Sequence, residues 1–222
     1  MSNSIKVGII GHHGQLGSAA AEWIHSAPDL ELSGGVGPGD NWSSLGDATV
    51  VLEVTRAGLG AEHARKLIEL GYRPLIGTSG VDAEQLNELD ALARSAGLGG
   101  AFIPNFSIGQ LALEKAIAAS NAYFSHVEIS EAHRAAKVDA PSGTAVRLSR
   151  LFGVQSAEVT SVRINRVTAA HEARLSSPHD SLLLRHESHG LGSFKLGLLA
   201  SLRYAATATG MAYGLEQVLA DA

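Results

Sequence analysis

The chain has 222 residues, 45% of them hydrophobic, no cysteine and a formal net charge of −5. That length can bury one large core or two small ones. The missing thiols exclude disulfides, thiolate metal sites and a cysteine nucleophile, the acidic balance argues against a nucleic-acid partner, and no run approaches the roughly 18 apolar residues of a membrane span.

The first six residues, Met-Ser-Asn-Ser-Ile-Lys, lack the apolar stretch of a signal peptide, so a cytoplasmic location is expected. Ile5–Ile10 is a short β-branched run of the kind that forms a buried parallel strand. Gly11-His12-His13-Gly14-Gln15-Leu16-Gly17 follows, and the residues from Ser18 onward have helical composition. Glycines spaced G-x-x-G-x-x-G between a strand and a helix are a variant of the dinucleotide fingerprint. They permit a tight turn, close approach of a pyrophosphate and close helix–strand packing.

Leu30–Val36 reads as a second strand ending at Gly37-Pro38-Gly39-Asp40, and 48–55 as a third. A helix is expected over 61–70, with Ala64, Leu67 and Ile68 on one face and Glu62, Arg65, Lys66 and Glu69 on the other. Residues 74–77 read as a fourth strand, 82–95 as a helix and 100–103 as a fifth strand. Strands alternating with helices predict a mostly parallel, doubly wound α/β sheet, with ligands at the carboxyl ends of its strands. The loops at Gly11–Gly17, Thr55-Arg56, Gly77–Gly80 and Pro104–Phe106 are expected to face one crevice.

Beyond Phe106 the pattern changes. A helix is predicted over 108–120, a strand over 127–131, a helix over 145–151, and antiparallel strands over 159–167 and 181–186. This reads as a smaller α+β unit. The residues from Phe194 to Ala222 are rich in alanine and leucine and read as helical, returning to the first domain. The domain organisation predicted is therefore 1–106 plus 194–222 for a Rossmann-type dinucleotide-binding domain. Residues 107–193 would form an α+β domain for substrate binding and oligomerisation.

Residues 131–145, Glu-Ala-His-Arg-Ala-Ala-Lys-Val-Asp-Ala-Pro-Ser-Gly-Thr-Ala, carry the most information. His133, Arg134 and Lys137 gather three basic groups in five residues. Pro141-Ser142-Gly143-Thr144 then makes a turn into an apolar run, a helix start whose free N–H groups attract an anion. The segment is built to hold a carboxylate beside a proton donor. His171, His179, His186 and His189 fall within nineteen residues but lack zinc-ligand spacing, so they read as loop and strand-surface histidines and no metal is expected. His12 and His13 read as fillers of a loop whose backbone binds the ligand, and Trp23 and Trp42 as packing residues.

In these motifs the chain resembles the 4-hydroxy-tetrahydrodipicolinate (dihydrodipicolinate) reductases, as a shortened and divergent member. The resemblance runs through Gly11–Gly17, Glu53-Val54-Thr55, Gly77–Gly80, Pro104–Gly109, His133–Ala145 and Ser193–Gly197. Its most specific part is Lys-Val-Asp-Ala-Pro-Ser-Gly-Thr-Ala at 137–145. The resemblance implies an NADH- or NADPH-dependent reductase of lysine and diaminopimelate synthesis. His133 and Lys137 would supply the proton and steady developing charge. Gly143 and Thr144 would bind a carboxylate of a cyclic dicarboxylate substrate. Gly11, His12, His13, Gly14, Gln15, Leu16, Gly77, Thr78, Ser79, Pro104, Asn105 and Phe106 would contact the cofactor. A homotetramer or homodimer is implied, with neither nucleic acid nor membrane as partner.

The departures fall on the ligand side. Arg134 stands where the family carries a second histidine, and is expected to hold a substrate carboxylate. Gly37-Pro38 stands where a charged residue grips the adenosine ribose or its phosphate. Leu191 replaces an arginine, and the region 163–190 lacks the usual Gly-Glu-His-like signature, of which His171-Glu172 is a candidate remnant. The alternatives are a relative acting on another cyclic imine or enamine, or a nucleotide-binding protein with little turnover.

Overall fold

The computed structural model describes residues 4–154, 158–165 and 167–220. Two compact units emerge, one built from the chain up to Phe106 together with the stretch from Phe194 onward, the other from Ser107–Ser193.

The first unit is a six-stranded, all-parallel sheet in the order β10-β5-β4-β3-β1-β2. Its strands are β1 (Ile5–Ile10), β2 (Leu30–Val36), β3 (Val50–Glu53), β4 (Arg73–Ile76), β5 (Gly99–Phe102) and β10 (Gly210–Tyr213). Val50, Val51, Leu52, Leu75 and Ile76 are all fully buried, the continuous apolar pattern of strands covered on both faces. The helices are α1 (Gln15–His25), α2 (Gly60–Glu69), α3 (Ala83–Ser95), α6 (Lys195–Thr207) and α7 (Gly214–Ala220). Helix α3 starts on a capping box in which Asp82 and Gln85 satisfy each other's backbone N–H groups. Ala64, Ile68, Leu89 and Ala93 of α2 and α3 pack with Ile76 and Phe102 of the sheet.

The second unit is a four-stranded sheet ordered β7-β6-β8-β9, made of β6 (His126–His133), β7 (Thr160–Arg163), β8 (Ala169–Ser176) and β9 (Ser181–Ser188). Helices α4 (Ile108–Asn121) and α5 (Gly143–Leu151) complete it, with Leu113, Ile117, Ile129, Leu148, Ala173 and Leu175 at its core.

Two expectations are corrected and one strand was not anticipated. The C-terminal stretch is not wholly helical: Gly210 takes φ +80° and the next residues add β10 beside β5. Four residues are too few to display a strand period. β7 runs parallel to β6, because the two flank α5 as a strand–helix–strand crossover. Strand β8 was hidden because its buried positions carry Ala170, His171 and Ala173 before Leu175, a weak apolar alternation.

Candidate active site

The glycine loop is shaped by close backbone approach. Gly11 has φ +91°, and a Cβ there would lie 2.8 Å from the Val54 carbonyl. At Gly17, inside α1, a Cβ would meet the Gly11 carbonyl at 2.2 Å, so this glycine lets the helix sit on the strand end. Gly14 is the N-cap of α1, with no side-chain cap, and Gln15 and Leu16 open the first turn. The free N–H groups of that turn suit a pyrophosphate.

A cavity of about 500 Å³ opens beside this loop. Its walls include Gly11, His13 and Gly14, the segment Val36–Asp40 after β2, Trp42, and Thr55 and Arg56 after β3. Asp40 accepts a hydrogen bond from the Gly37 N–H at 2.8 Å, and its Oδ2 sits 3.2 Å from where a Gly37 Cβ would be. The carboxylate thus fills the slot of the missing side chain. Trp42 does more than pack. It lies edge-on to His63 at 5.5 Å, carries the Lys66 ammonium 4.0 Å over its ring, and faces the cavity. The His12 and His13 rings lie 3.7 Å apart, tilted by 40°, and His12, His13 and Asp40 each bring one donor atom within 4.8 Å of the others.

The other cofactor-loop residues lie outside this cavity lining but gather at the same strand ends. A Cβ on Gly77 would come within 2.9 Å of both Val54 and the Phe106 ring, so the loops after β3, β4 and β5 converge there. Beneath them Glu53 is fully buried. It accepts from the hydroxyls of Thr55 and Thr78 and pairs with His63 Nδ1 at 3.1 Å. Sequence reasoning noted Glu53 only as part of a motif and missed His63. Ser79 is exposed and its carbonyl accepts from Gly58, while Pro104 and Asn105 are half-buried.

In the second unit the signature segment is organised by a buried carboxylate. Glu131, on β6, hydrogen-bonds His133 Nδ1 and receives the Arg163 guanidinium of β7 through two bonds of 2.8 and 3.0 Å. Burial opposes its ionisation, yet the bonds from Arg163 and His133 prevail and hold its carboxyl down to about 2. An ionised Glu131 can only accept, so His133 Nδ1 carries a proton and Nε2 is the ring nitrogen left for another partner. Arg163 also donates to the carbonyls of Lys137 and Asp139, tying down the intervening loop. Lys137 Nζ reaches Asp139 at 2.8 Å, a hydrogen bond that lowers the Asp139 carboxyl below its ordinary range.

Helix α5 begins where the sequence placed a helix start. Ser142 caps it, accepting from the Ala145 N–H at 3.2 Å, so Gly143 and Thr144 stand in its first turn. Arg134, one residue past β6, is exposed; its carbonyl accepts from the Lys137 N–H at 3.0 Å, and its guanidinium makes no hydrogen bond among the described residues.

The histidine cluster needs correction. His179 and His189 are exposed, as expected, but His171 is only 5% exposed and His186 is half-buried against Gly109. His171 lies opposite Glu131 in the β6–β8 ladder, edge-on to His133 at 5.4 Å. Burial, then the neighbouring His133, hold its imidazole down to about 4. Period-2 burial on β8 was the signal for it, and that strand was not recognised. Arg163 offered no local signal, since its partner is 32 residues away.

The glycine turn and the strand-end cavity fit a nicotinamide dinucleotide, and comparison with known proteins agrees. Residues 5–106 match the family model for the dihydrodipicolinate reductase N-terminus, and residues 109–219 that for its C-terminus. The chain is 30% identical to the 4-hydroxy-tetrahydrodipicolinate reductase of Streptococcus gordonii, over 97% of this chain and 99% of that one. It is 31% identical to that of Streptomyces griseus, over 98% of each. A solved dipicolinate-bound dihydrodipicolinate reductase from Paenisporosarcina sp. TG-14 superposes with a TM-score of 0.82 at 26% identity, covering 96% of this chain and 99% of that one. The chain belongs to the dihydrodipicolinate reductase family, a family of NAD(P)H-dependent oxidoreductases.

Proposed function

We propose that the protein reduces 4-hydroxy-tetrahydrodipicolinate, by way of dihydrodipicolinate, in lysine and diaminopimelate synthesis, with Lys137 as proton donor and His133 as its partner. The observation that carries this reading is the second unit's signature segment. It joins an ammonium held by Asp139, an imidazole anchored on Glu131 and a Ser142-capped helix start within a dozen residues. When bound, NADH or NADPH supplies hydride to an unsaturated carbon conjugated with the ring imine.

Each residue's part follows from its chemistry. The first-turn N–H groups of Gly143 and Thr144 bind one substrate carboxylate. Arg134, free to reach a ligand, pairs with carboxylate charge. Lys137 delivers its proton to the carbon that gains electron density, leaving a neutral amine beside Asp139, and is reprotonated from solvent. His133, once its Nε2 also carries a proton, donates that N–H to the developing negative charge. On the cofactor side, Gly11, His12, His13, Gly14, Gln15 and Leu16 cradle the pyrophosphate. Gly77, Thr78, Ser79, Pro104, Asn105 and Phe106 border the nicotinamide end.

The protein works in the cytoplasm as a homo-oligomer, a tetramer or dimer. Val162 and Leu183, exposed on the second unit's sheet, supply apolar surface for subunit contact. Arg134 in place of a family histidine favours a second reading, a shifted cyclic imine substrate. Oxidation of NADH and NADPH with dihydrodipicolinate generated in situ tests the proposal. Substrate-dependent oxidation is expected, whereas tight nucleotide binding with turnover only on another cyclic imine establishes the second reading.

A further inference from the structure

Ser142 is held from three sides although it is not a ligand-binding side chain in the reading above. Its N–H donates to Glu131 Oε1 at 3.2 Å, its Oγ accepts from the Ala145 N–H at 3.2 Å, and the same Oγ lies 3.2 Å from His171 Nε2. The hydroxyl oxygen already serves the helix cap, so its single proton is free for His171. With His171 neutral and its own proton on Nδ1, Nε2 is the acceptor of the hydroxyl proton. A buried imidazole resisting protonation until about pH 4 meets that condition. Ser142 is 2% exposed, so no water competes for the hydroxyl.

The geometry points to His171 as a positioning residue for the substrate carboxylate: by accepting the Ser142 hydroxyl proton, it fixes the first turn of α5. This rests on the reading that the Gly143 and Thr144 N–H groups bind that carboxylate. A hydroxyl with one fixed partner can rotate about its Cα–Cβ bond, while one gripped by both Ala145 and His171 cannot. The orientation of the turn therefore depends on a histidine on β8 that never meets the ligand. Burial alone makes His171 a packing residue. The bond to the N-cap directs its effect to ligand affinity.

The test measures KM, kcat and dipicolinate affinity on the full chain for four variants. Gly143→Pro removes the first-turn N–H where proline is tolerated and a Cβ meets nothing within 4 Å. It is expected to weaken dipicolinate binding about tenfold. His171→Leu is expected to raise substrate KM and dipicolinate Kd about five- to tenfold, leaving the cofactor KM within about twofold. His171→Gln, which restores an acceptor near the Nε2 position, recovers most of the loss. Ser142→Ala, which also removes the cap bond to Ala145, weakens binding at least as much as His171→Leu, and adding His171→Leu to it adds little, the signature of one shared interaction. If Gly143→Pro binds dipicolinate normally, the carboxylate reading itself is wrong and the proposal falls with it. If Gly143→Pro weakens binding but His171→Leu and Ser142→Ala change only melting temperature, His171 is a packing residue and the proposal alone is overturned. Should His171→Leu fail to fold, normal affinity in Ser142→Ala overturns it equally.

Discussion

Arg163 meets Glu131 through two parallel hydrogen bonds, 2.8 and 3.0 Å long, that join β7 to β6 beneath the signature loop. The carboxylate is buried and is also bonded to His133 Nδ1 and to the Ser142 N–H, so the pair fixes the His133 imidazole from below. Removing the cation leaves a buried charge unpaired, which costs on the order of 3 kcal/mol. Arg163→Ala is therefore expected to lower unfolding stability by about that much in urea titration, and to reduce turnover through His133. A change below about 0.5 kcal/mol would show that Glu131 does not depend on it.

Two buried groups give the fold an acid sensitivity of calculable sign. His171 titrates at about 4 folded against 6.5 ordinarily, so between those values the unfolded chain binds a proton that the folded chain refuses. Glu131 does the same between 4.5 and about 2. Both contributions are intact above pH 6.5 and are lost as pH falls, each by on the order of 3 kcal/mol. His133, Lys137 and His186 repel a proton on His171, while Glu131 attracts one. His171→Gln should flatten the stability curve between pH 6.5 and 4 and leave the lower limb in place. A curve identical to wild type contradicts the assignment.

Much of this was legible in the sequence, for physical reasons that differ along the chain. β1 and β2 were bounded correctly because a glycine loop follows each, and α5 was placed within two residues of its start because Ser142 is a strong cap before an apolar run. The signature residues were legible because they are consecutive. What escaped depends on contacts distant in sequence. Arg163 meets Glu131 across 32 residues, and His171 meets Ser142 across 29. β10 escaped because a four-residue strand at a sheet edge derives its pairing from β5 and not from its own pattern. Asp40 escaped because it reaches back three residues to fill the place left by Gly37.

The glycine loop separates binding from packing. At Gly14 an added Cβ meets only the Gly11 carbonyl, at 3.2 Å, whereas at Gly17 it lies 2.2 Å from that atom. Gly14→Ala should fold with a near-native melting temperature and bind NADH more weakly, read by fluorescence titration. Gly17→Ala should lose stability first, by roughly 1–3 kcal/mol. Equal melting temperatures for the two variants contradict this division.

Arg134 tests the substrate's charge. A charge-assisted pair with a carboxylate contributes on the order of 1.5–3 kcal/mol, about ten- to a hundredfold in affinity. Arg134→Ala should raise KM by that factor for a dicarboxylate and little for a neutral cyclic imine. Equal effects on both would make Arg134 a solvated loop residue.

Proton delivery by Lys137 is the step on which the proposed reduction depends, and single-variant kinetics test it. With dihydrodipicolinate generated in situ and cofactor saturating, Lys137→Ala should lower kcat by roughly two to four orders of magnitude. Dinucleotide affinity, read by fluorescence on the same sample, should stay within about twofold, since Lys137 lies in the second unit and the nucleotide cavity in the first. Near-native kcat in a folded, cofactor-binding Lys137→Ala variant would mean that another group delivers the proton.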